Sequence, residues 1–386
     1  MHVTSSEKIT AHLYPWDVNG DPDAAARLVD AGVTRVALAA SYHAVRAATP
    51  HHPRHKIVEA PHGAAYVAIR AHVWEGHELV PQNAEAWAGA DSFVRAREAL
   101  AQAGLRVAAW SVLTHSCSFE SRFAEHTVRN AFGDRFSYAL CPARPEVREY
   151  AATLVTEIVL LGQVEEIVLE AAGQLGFEHG SAHEKTAGAD WSPAQQALLS
   201  ICFCTPCERL YTRAGIEPAA MRSEIADALA DAEAAARLRA RLSSVVPPAR
   251  AAADDELLRE VVSHARAAGA RDVTVFADPD PWTTGATITP LGSIDGVDRW
   301  LLPCFGDWQD DAMRAAALAR LAPAAIAAYV SLLTEDFSAT IDDRLAALSG
   351  AGISSVHGYH YGLASQGRID TMTAAFERSS FSGRRR

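Results

Sequence analysis

The fourth apolar run in this sequence reads Val164-Glu165-Glu166-Ile167-Val168-Leu169-Glu170 and ends in a carboxylate. Its β-branched and leucine side chains predict a buried strand, which places Glu170 at the carboxyl end of that strand. Seven similar runs are spread along the chain. The eight predicted strands cover residues 9–14, 33–40, 105–113, 166–171, 272–277, 299–304, 325–332 and 354–359.

Helical patterns separate these strands, and several of them end in glycine. Gly32, Gly104, Gly269 and Gly352 each stand between a helical pattern and a strand, as expected of glycine just beyond a helix C-terminus. A strand followed by a helix eight times predicts an α/β fold, the (β/α)8 barrel, with a doubly wound open sheet as the main alternative. We expect a single barrel domain over residues 1–386.

Two connections are too long to be simple turns. Residues 42–90 follow the second strand, and residues 173–253 follow the fourth. The second of these is expected to be an inserted helical segment that contains cysteines and one long helix over residues 218–242, ended by Pro247 and Pro248. Insertions after barrel strands lie on the C-terminal face, where barrel enzymes carry their sites.

Charge and hydropathy restrict the partners of the protein. The net charge of -12 in 386 residues argues against nucleic acid as the main partner. The first residues lack an apolar signal segment and no apolar run is long enough to span a membrane, so a cytoplasmic location without membrane association is expected. In that compartment the six cysteines are expected to be thiols or metal ligands. The oligomeric state is not predicted.

Acids, histidines and aromatic residues follow nearly every predicted strand. Because the carboxyl ends of barrel strands meet on one face, these side chains predict a polar pocket with aromatic walls. His183 and Lys185, in a glycine-containing loop after Glu170, are expected to line it too. The remaining candidates are Trp16, Asp17, Tyr42, His43, Arg46, His115, Asp278, Asp307, Trp308, Glu335, His357, Tyr359 and His360.

This mixture of residues suits a carbohydrate substrate. Aromatic faces stack on sugar rings, and acids and histidines bind hydroxyl groups. Cleavage of a glycosidic bond requires two carboxyl groups, one of which donates a proton. Glu170 is the predicted donor because desolvation by its apolar strand raises the pKa of a carboxyl group. The candidates for the second group are Asp278, Glu335, Asp307 and Asp17, with Glu335 and Asp278 foremost, although Glu335 is equally suited to cap the following helix.

The placement of Glu170 and Glu335 resembles that of the retaining barrel glycoside hydrolases, which carry one Glu after strand four and another after strand seven. The resemblance is architectural, covers the barrel as a whole and indicates no specific family. This chain has Leu169 where that group usually has Asn. The resemblance implies a glycosidase in which Glu170 and Glu335 act together.

Two other functions remain open on the same fold. In the first, a divalent-metal-dependent sugar isomerase, epimerase or lyase would hold its ion at the barrel mouth with Glu170, Asp278 and the four histidines at positions 43, 115, 357 and 360. In the second, the barrel would bind a sugar without cleaving it.

A cysteine cluster forms a separate motif. Cys202, Cys204 and Cys207 lie within six residues, and the C-x-x-C spacing of the last two is typical of zinc sites. Cys141 is the favoured fourth ligand, with His179, His183 and Cys117 as alternatives. A structural zinc ion is therefore predicted; the competing interpretation is a set of inert buried thiols.

Overall fold

A computed structural model describes residues 9–116, 124–178, 185–290, 294–322 and 324–382. Eight parallel strands form a closed barrel, because β1 pairs with both β2 and β8. The predicted fold class is confirmed, and each strand boundary lies within two residues of its predicted position. The strands are Ile9–Leu13 (β1), Arg35–Tyr42 (β2), Arg106–Val112 (β3), Glu166–Glu170 (β4), Asp272–Phe276 (β5), Arg299–Cys304 (β6), Ala325–Ser331 (β7) and Ser355–Tyr359 (β8).

Helices surround the barrel and fill the insertion after β4. The glycines predicted at helix ends have positive φ, for example 74° at Gly32 and 115° at Gly269. The helices are Ala24–Asp30 (α1), Ser92–Gln102 (α2), Pro145–Gly162 (α3), Pro193–Leu199 (α4), Thr205–Arg213 (α5), Pro218–Ala228 (α6), Ala232–Leu242 (α7), Val246–Ala268 (α8), Trp308–Leu321 (α9), Phe337–Gly350 (α10) and Gln366–Arg378 (α11). None of the helices in the described ranges combines the length and the apolar character needed to cross a bilayer.

The alternation of strands and helices is interrupted once. The prediction of a helix after every strand is wrong for β5, because residues 277–290 and 294–298 contain no helix in the structure. This connection contains Pro279, Pro281 and Pro290, which lack the backbone N–H that a helix requires. Its first part folds back instead, and the N–H of Asp278 donates to the carbonyl of Ile288 at 2.9 Å.

The predicted helix over residues 218–242 is two helices. Asp231 begins α7 as its N-cap and accepts a hydrogen bond from the N–H of Ala234 at 2.7 Å, so α6 and α7 are separate. Pro247 and Pro248 do not end a helix: they lie in the first turn of α8, where the missing N–H would have no partner in any case.

Three connections carry extra structure at the C-terminal side of the barrel. The connection after β2 contains the antiparallel pair Val45–Ala48 and Ile57–Ala60. The connection after β4 contains α4 to α7. A third, after β3, was not predicted and contains the antiparallel pair Thr127–Arg129 and Arg135–Leu140.

The interior of the barrel contains a layer of large rings. His12, Trp110, Phe276 and Tyr329 come from β1, β3, β5 and β7, as expected of a barrel layer supplied by alternate strands. The ring centroid of His12 lies 4.6 Å from those of both Trp110 and Tyr329, and the centroids of Phe276 and Tyr329 lie 4.8 Å apart. The barrel is therefore filled directly beneath its C-terminal mouth.

A charged cluster closes the opposite, N-terminal end. Arg35 is only 1% exposed, and its Nε lies 2.6 Å from Glu166 of β4 and its Nη2 3.3 Å from Asp272 of β5. Arg106 reaches the same Glu166 at 2.6 Å, but its side chain is 51% exposed. The two arginines thus contact one carboxylate from a buried side and an exposed side.

This difference in burial predicts different contributions to stability. Arg35→Met should lower the free energy of unfolding by roughly 2 kcal/mol, because it removes the buried charge partner of Glu166 and Asp272, whose partly buried carboxylates keep only Arg106 and Arg299. Arg106→Met should lower it by less than about 1 kcal/mol, because water screens an exposed pair. Urea unfolding at pH 7 measures both variants, and equal losses would contradict the buried position of Arg35.

Candidate active site

Glu170 occupies the C-terminal end of β4 inside the barrel mouth. Its side chain is 7% exposed, and Oε2 accepts a hydrogen bond of 2.7 Å from the indole Nε1 of Trp110. Burial raises the pKa of Glu170 to about 7, and the bond from Trp110 offsets only part of this rise. Glu170 is therefore a carboxyl group that holds its proton near neutral pH.

The backbone around Glu170 is fixed from both sides. The carbonyl of Glu170 accepts a bond from the N–H of Leu113 at 3.1 Å, and the N–H of Ala171 donates to Ala286 at 2.8 Å. Ala171 has φ 52°, an unfavourable conformation for a residue with a side chain. The Thr114 hydroxyl donates to the carbonyl of Ala171 at 2.8 Å and so supports this turn.

Tyrosine rings surround the carboxyl group. Burial raises the pKa of Tyr42, Tyr329 and Tyr359, and the charge of Glu170 raises each of them further. The ring of Tyr42 meets that of Trp110 edge to face, with centroids 4.7 Å apart. Tyr42 and Trp110 thus place aromatic rings beside Glu170 at the mouth of the barrel.

Asp17 forms a second buried carboxyl group in the turn after β1. It is 8% exposed, and its Oδ2 accepts the N–H of Tyr14 at 2.8 Å and lies 3.8 Å from Nδ1 of His360. Burial raises the pKa of Asp17 to about 7 and lowers the pKa of His360 to about 3, so the imidazole is neutral. The ring of Tyr14 stacks on those of Trp16 and His360, with ring centroids 4.5 and 4.4 Å away.

Polar atoms without a partner are concentrated around Asp17. Among the described residues nothing hydrogen-bonds Nε1 of Trp16, Oδ1 of Asp17 or either ring nitrogen of His360. Buried polar atoms are normally paired, so a group of this kind is suited to receive the hydroxyl groups of a ligand.

The predicted histidines do not share one position. His43 stacks between Tyr42 and His115, with ring centroids 4.2 and 4.1 Å away. His357 lies inside the barrel, and its Nδ1 is 3.1 Å from Nε2 of His12; burial lowers the pKa of both. Within the described part of the chain, the histidines and acids at the mouth do not form a convergent group of metal-type ligands.

The other predicted residues take varied positions. Asp278 is 9% exposed, pairs with Arg314 and accepts the N–H of Asp280 at 2.8 Å. Asp307 caps α9 by accepting the N–H of Gln309 at 2.8 Å, and half-buried Trp308 begins that helix.

Three further predicted residues are exposed, and one lies outside the described ranges. Glu335 is exposed in the turn before α10, Arg46 is exposed on the antiparallel pair after β2, and Lys185 is exposed at the start of a described segment. His183 lies outside the described residues.

The four predicted cysteines come together. All four are 0–4% exposed and their sulfur atoms lie within 4.8 Å of one another, close enough to hold a metal ion. Cys141 Sγ lies 3.5 Å from Cys204, 3.5 Å from Cys207 and 3.8 Å from Cys202. These distances fit the edges of a tetrahedron of sulfurs around zinc, which measure about 3.8 Å for a Zn–S bond of about 2.3 Å.

The cysteine cluster joins two of the connections at the barrel mouth. Cys141 follows the antiparallel pair after β3, whereas the other three precede or begin α5 in the insertion after β4. The N–H of Phe203 also donates to the carbonyl of Arg129 at 2.6 Å across this contact. Hydrogen bonding to Cys141 lowers the pKa of the Cys204 thiol, which favours a thiolate ligand.

Sequence reasoning missed several residues of the mouth. Tyr14, Trp110, Tyr329 and Phe305 were not predicted. Trp110 and Tyr329 lie within strands, before the strand ends, and Tyr14 and Phe305, which lie directly after β1 and β6, were overlooked. Tyr14 could have been found from the alternation of Thr10, His12 and Tyr14 along the first strand, because residues two apart on a strand face the same side.

No family model matches this sequence, and no curated protein matches it either. Solved structures do match. The catalytic domain of the β-amylase from Paenibacillus polymyxa has a TM-score of 0.54 at 9% identity, with 96% of this chain and 98% of that one covered. The α-L-fucosidase isoenzyme 2 from Paenibacillus thiaminolyticus has a TM-score of 0.52 at 11% identity, with 96% and 49% covered.

A third structure is the β-galactosidase from the psychrophilic Marinomonas ef1, with a TM-score of 0.51 at 8% identity and 96% and 59% covered. This chain thus spans about half of the fucosidase and less than two thirds of the galactosidase. At such identities the similarity shows the fold alone. The chain shares its (β/α)8 barrel with glycoside hydrolases of several kinds.

Proposed function

We propose that this chain is a barrel enzyme that cleaves a glycosidic bond of a carbohydrate by carboxylate acid–base catalysis. The environment of Glu170 carries this proposal: the carboxyl group lies at the end of β4, is 7% exposed and has a pKa raised by burial to about 7. A proton donor to a glycosidic oxygen must hold its proton at the working pH, which an exposed glutamate does not.

Asp278 is the second carboxylate that the contacts favour. Arg314 contacts its Oδ2 and the N–H of Asp280 donates to its Oδ1, so both carboxylate oxygens are held in place. Asp278 follows β5, the strand paired with β4, so it belongs to the same sector of the barrel as Glu170. Glu335, which is exposed before α10, is the alternative candidate for this second carboxylate.

The aromatic residues of the mouth support a sugar as the substrate. Phe305 is 43% exposed, and its ring centroid lies 5.3 Å from Tyr329 and 6.0 Å from Tyr359. An exposed ring held in place by two others offers a flat apolar face to a pyranose. Asp17 and His360 then supply unpaired polar atoms for hydroxyl groups.

We also propose that the cysteine cluster holds one structural zinc ion. Cys141, Cys202, Cys204 and Cys207 supply four sulfur ligands, which complete a tetrahedral site and leave no position for a substrate. The ion would supply a cross-link between the connections after β3 and β4. The hydroxyl of Tyr211 donates to the carbonyl of Cys202 at 2.9 Å and supports the ligand loop.

The first of the three predictions that arise from these proposals concerns the proton donor. Glu170→Gln should lower kcat at least about 100-fold on a panel of aryl glycosides while ligand binding persists, because the amide keeps the shape but donates no proton. Glu233→Gln, an equivalent change at an exposed ion pair on α7, is the control and should behave as the wild type. Full activity of the Glu170→Gln variant would contradict the proposed role; turnover of no glycoside by the wild type would favour a sugar-binding barrel.

The second prediction concerns pH. The rate should fall as the pH rises above about 7, because Glu170 then loses the proton that it must donate. A profile of kcat/KM between pH 5 and pH 9 should therefore show a descending limb near pH 7. A limb below pH 5 alone would mean that Glu170 is an ordinary exposed carboxylate.

The third prediction concerns metal content. Purified protein should contain one zinc ion per chain by elemental analysis, and Cys204→Ser should lose the zinc and lower the melting temperature, because a ligand and a cross-link are removed. Cys304→Ser changes another buried cysteine outside the cluster and should retain the zinc. If the wild-type protein contains no zinc and Cys204→Ser leaves the melting temperature unchanged, the cysteines are inert thiols instead.

A further inference from the structure

A cavity lies between the start of α8 and the connection after β5. It has a volume of about 100 Å³, and its lining includes Arg250, Ala251 and Asp254 of α8 with Pro281 and Thr289 of the connection. A single water molecule needs only about 10–15 Å³ of such space, so the cavity has room for part of a small organic molecule.

Arg250 is a buried cation without a direct counter-charge. Its side chain is 9% exposed, and its Nη2 donates to the carbonyl of Pro281. Among the residues that the structure describes, no carboxylate oxygen lies within the 4.0 Å of an ion pair with it. Burial accordingly lowers the pKa of Arg250. A buried guanidinium that lacks an ionic partner is costly, so a group of opposite charge would be bound favourably.

The carboxyl groups nearby are engaged elsewhere. Asp254 accepts the N–H of Gln174 at 3.0 Å, and burial raises its pKa to about 7, so it carries only part of a charge near neutral pH. Asp280 accepts the N–H of Trp282 at 2.9 Å, and Asp278 pairs with Arg314. The charge of Glu178 also acts on Arg250, but neither Glu178 nor any of these three aspartates makes a direct contact with the guanidinium among the described residues.

We propose that this cavity binds the carboxylate group of a small acid, with the guanidinium of Arg250 as its partner. The planar fork of an arginine matches the two oxygens of a carboxylate. The partial positive charge at the start of α8, a helix of 23 residues, favours an anion at the same end. The single negative charge of a carboxylate is balanced by the single positive charge of Arg250. A phosphate dianion would carry a second negative charge, which the neighbouring Asp254 would repel. Binding here does not depend on the hydrolytic activity.

Calorimetric titration with matched ligands tests this site. Acetate and propionate should bind the wild-type protein saturably at millimolar concentrations, whereas acetamide, which keeps the shape of acetate but lacks its charge, should not; inorganic phosphate should bind more weakly than either acid. Sodium chloride holds the ionic strength equal in all titrations. Equal binding of acetamide and acetate, or preferential binding of phosphate, would overturn the assignment.

Variants locate the bound acid. Arg250→Met should weaken acetate binding at least tenfold, about 1.4 kcal/mol, and Ala251→Leu should do the same by filling the cavity without removing the cation. Arg259→Gln, on the exposed side of α8, should bind as the wild type. If Arg250→Met fails to fold, the acetate affinity of Ala251→Leu alone decides whether the acid binds in the cavity. Wild-type affinity in either cavity variant, or loss of binding in Glu170→Gln instead, would place the acid elsewhere and overturn the proposal.

Discussion

The hydrogen bond from the indole of Trp110 to the carboxyl of Glu170 is the contact on which the candidate site depends. Trp110 belongs to the ring layer that fills the barrel, so the position of the carboxyl group is set by core packing. A flexible loop would not hold it with the same precision. The residues that stabilise the barrel and the residues that orient the acid are therefore partly the same.

This arrangement lowers stability at neutral pH. A pKa raised from 4.5 to about 7 means that the folded protein binds the Glu170 proton more tightly than the unfolded chain does. The resulting stabilisation is present below pH 4.5 and is lost as the pH rises through 7, a change of roughly 3 kcal/mol. Such a loss at a single buried acid is expected of a group retained for its chemistry.

The connections after β3 and β4 extend this fixed geometry beyond the barrel. The hydroxyl of Tyr138, next to the cysteine cluster in the chain, donates to the carbonyl of Gly176 at 3.0 Å. Gly176 follows Glu170 by six residues, so the segment leaving the candidate acid is tied to the segment that carries Cys141. Zinc in the cluster would strengthen the same link.

The strands were predictable because runs of apolar, β-branched residues repeat along the chain. Gly32 and Gly269 indicated where a helix ends and the next strand begins. The cysteine cluster was predictable from local spacing, although the contribution of Cys141, 61 residues before Cys202, depends on tertiary structure. The role of Trp110 was not predictable, because the register between β3 and β4 decides which side chain faces Glu170. The missing helix after β5 had a local cause, its three prolines, which the strand count obscured.

The direct test of the account is the titration of Glu170 itself. Carbon-13 NMR of protein labelled at the glutamate carboxyl groups, assigned with Glu170→Gln, follows this one group across the pH range. The account predicts a midpoint near pH 7, and a still higher one in Trp110→Phe, because the indole donor that favours the carboxylate is gone. A midpoint near the ordinary glutamate value of about 4.3 would contradict the account, since Glu170 would then carry no proton to donate at neutral pH.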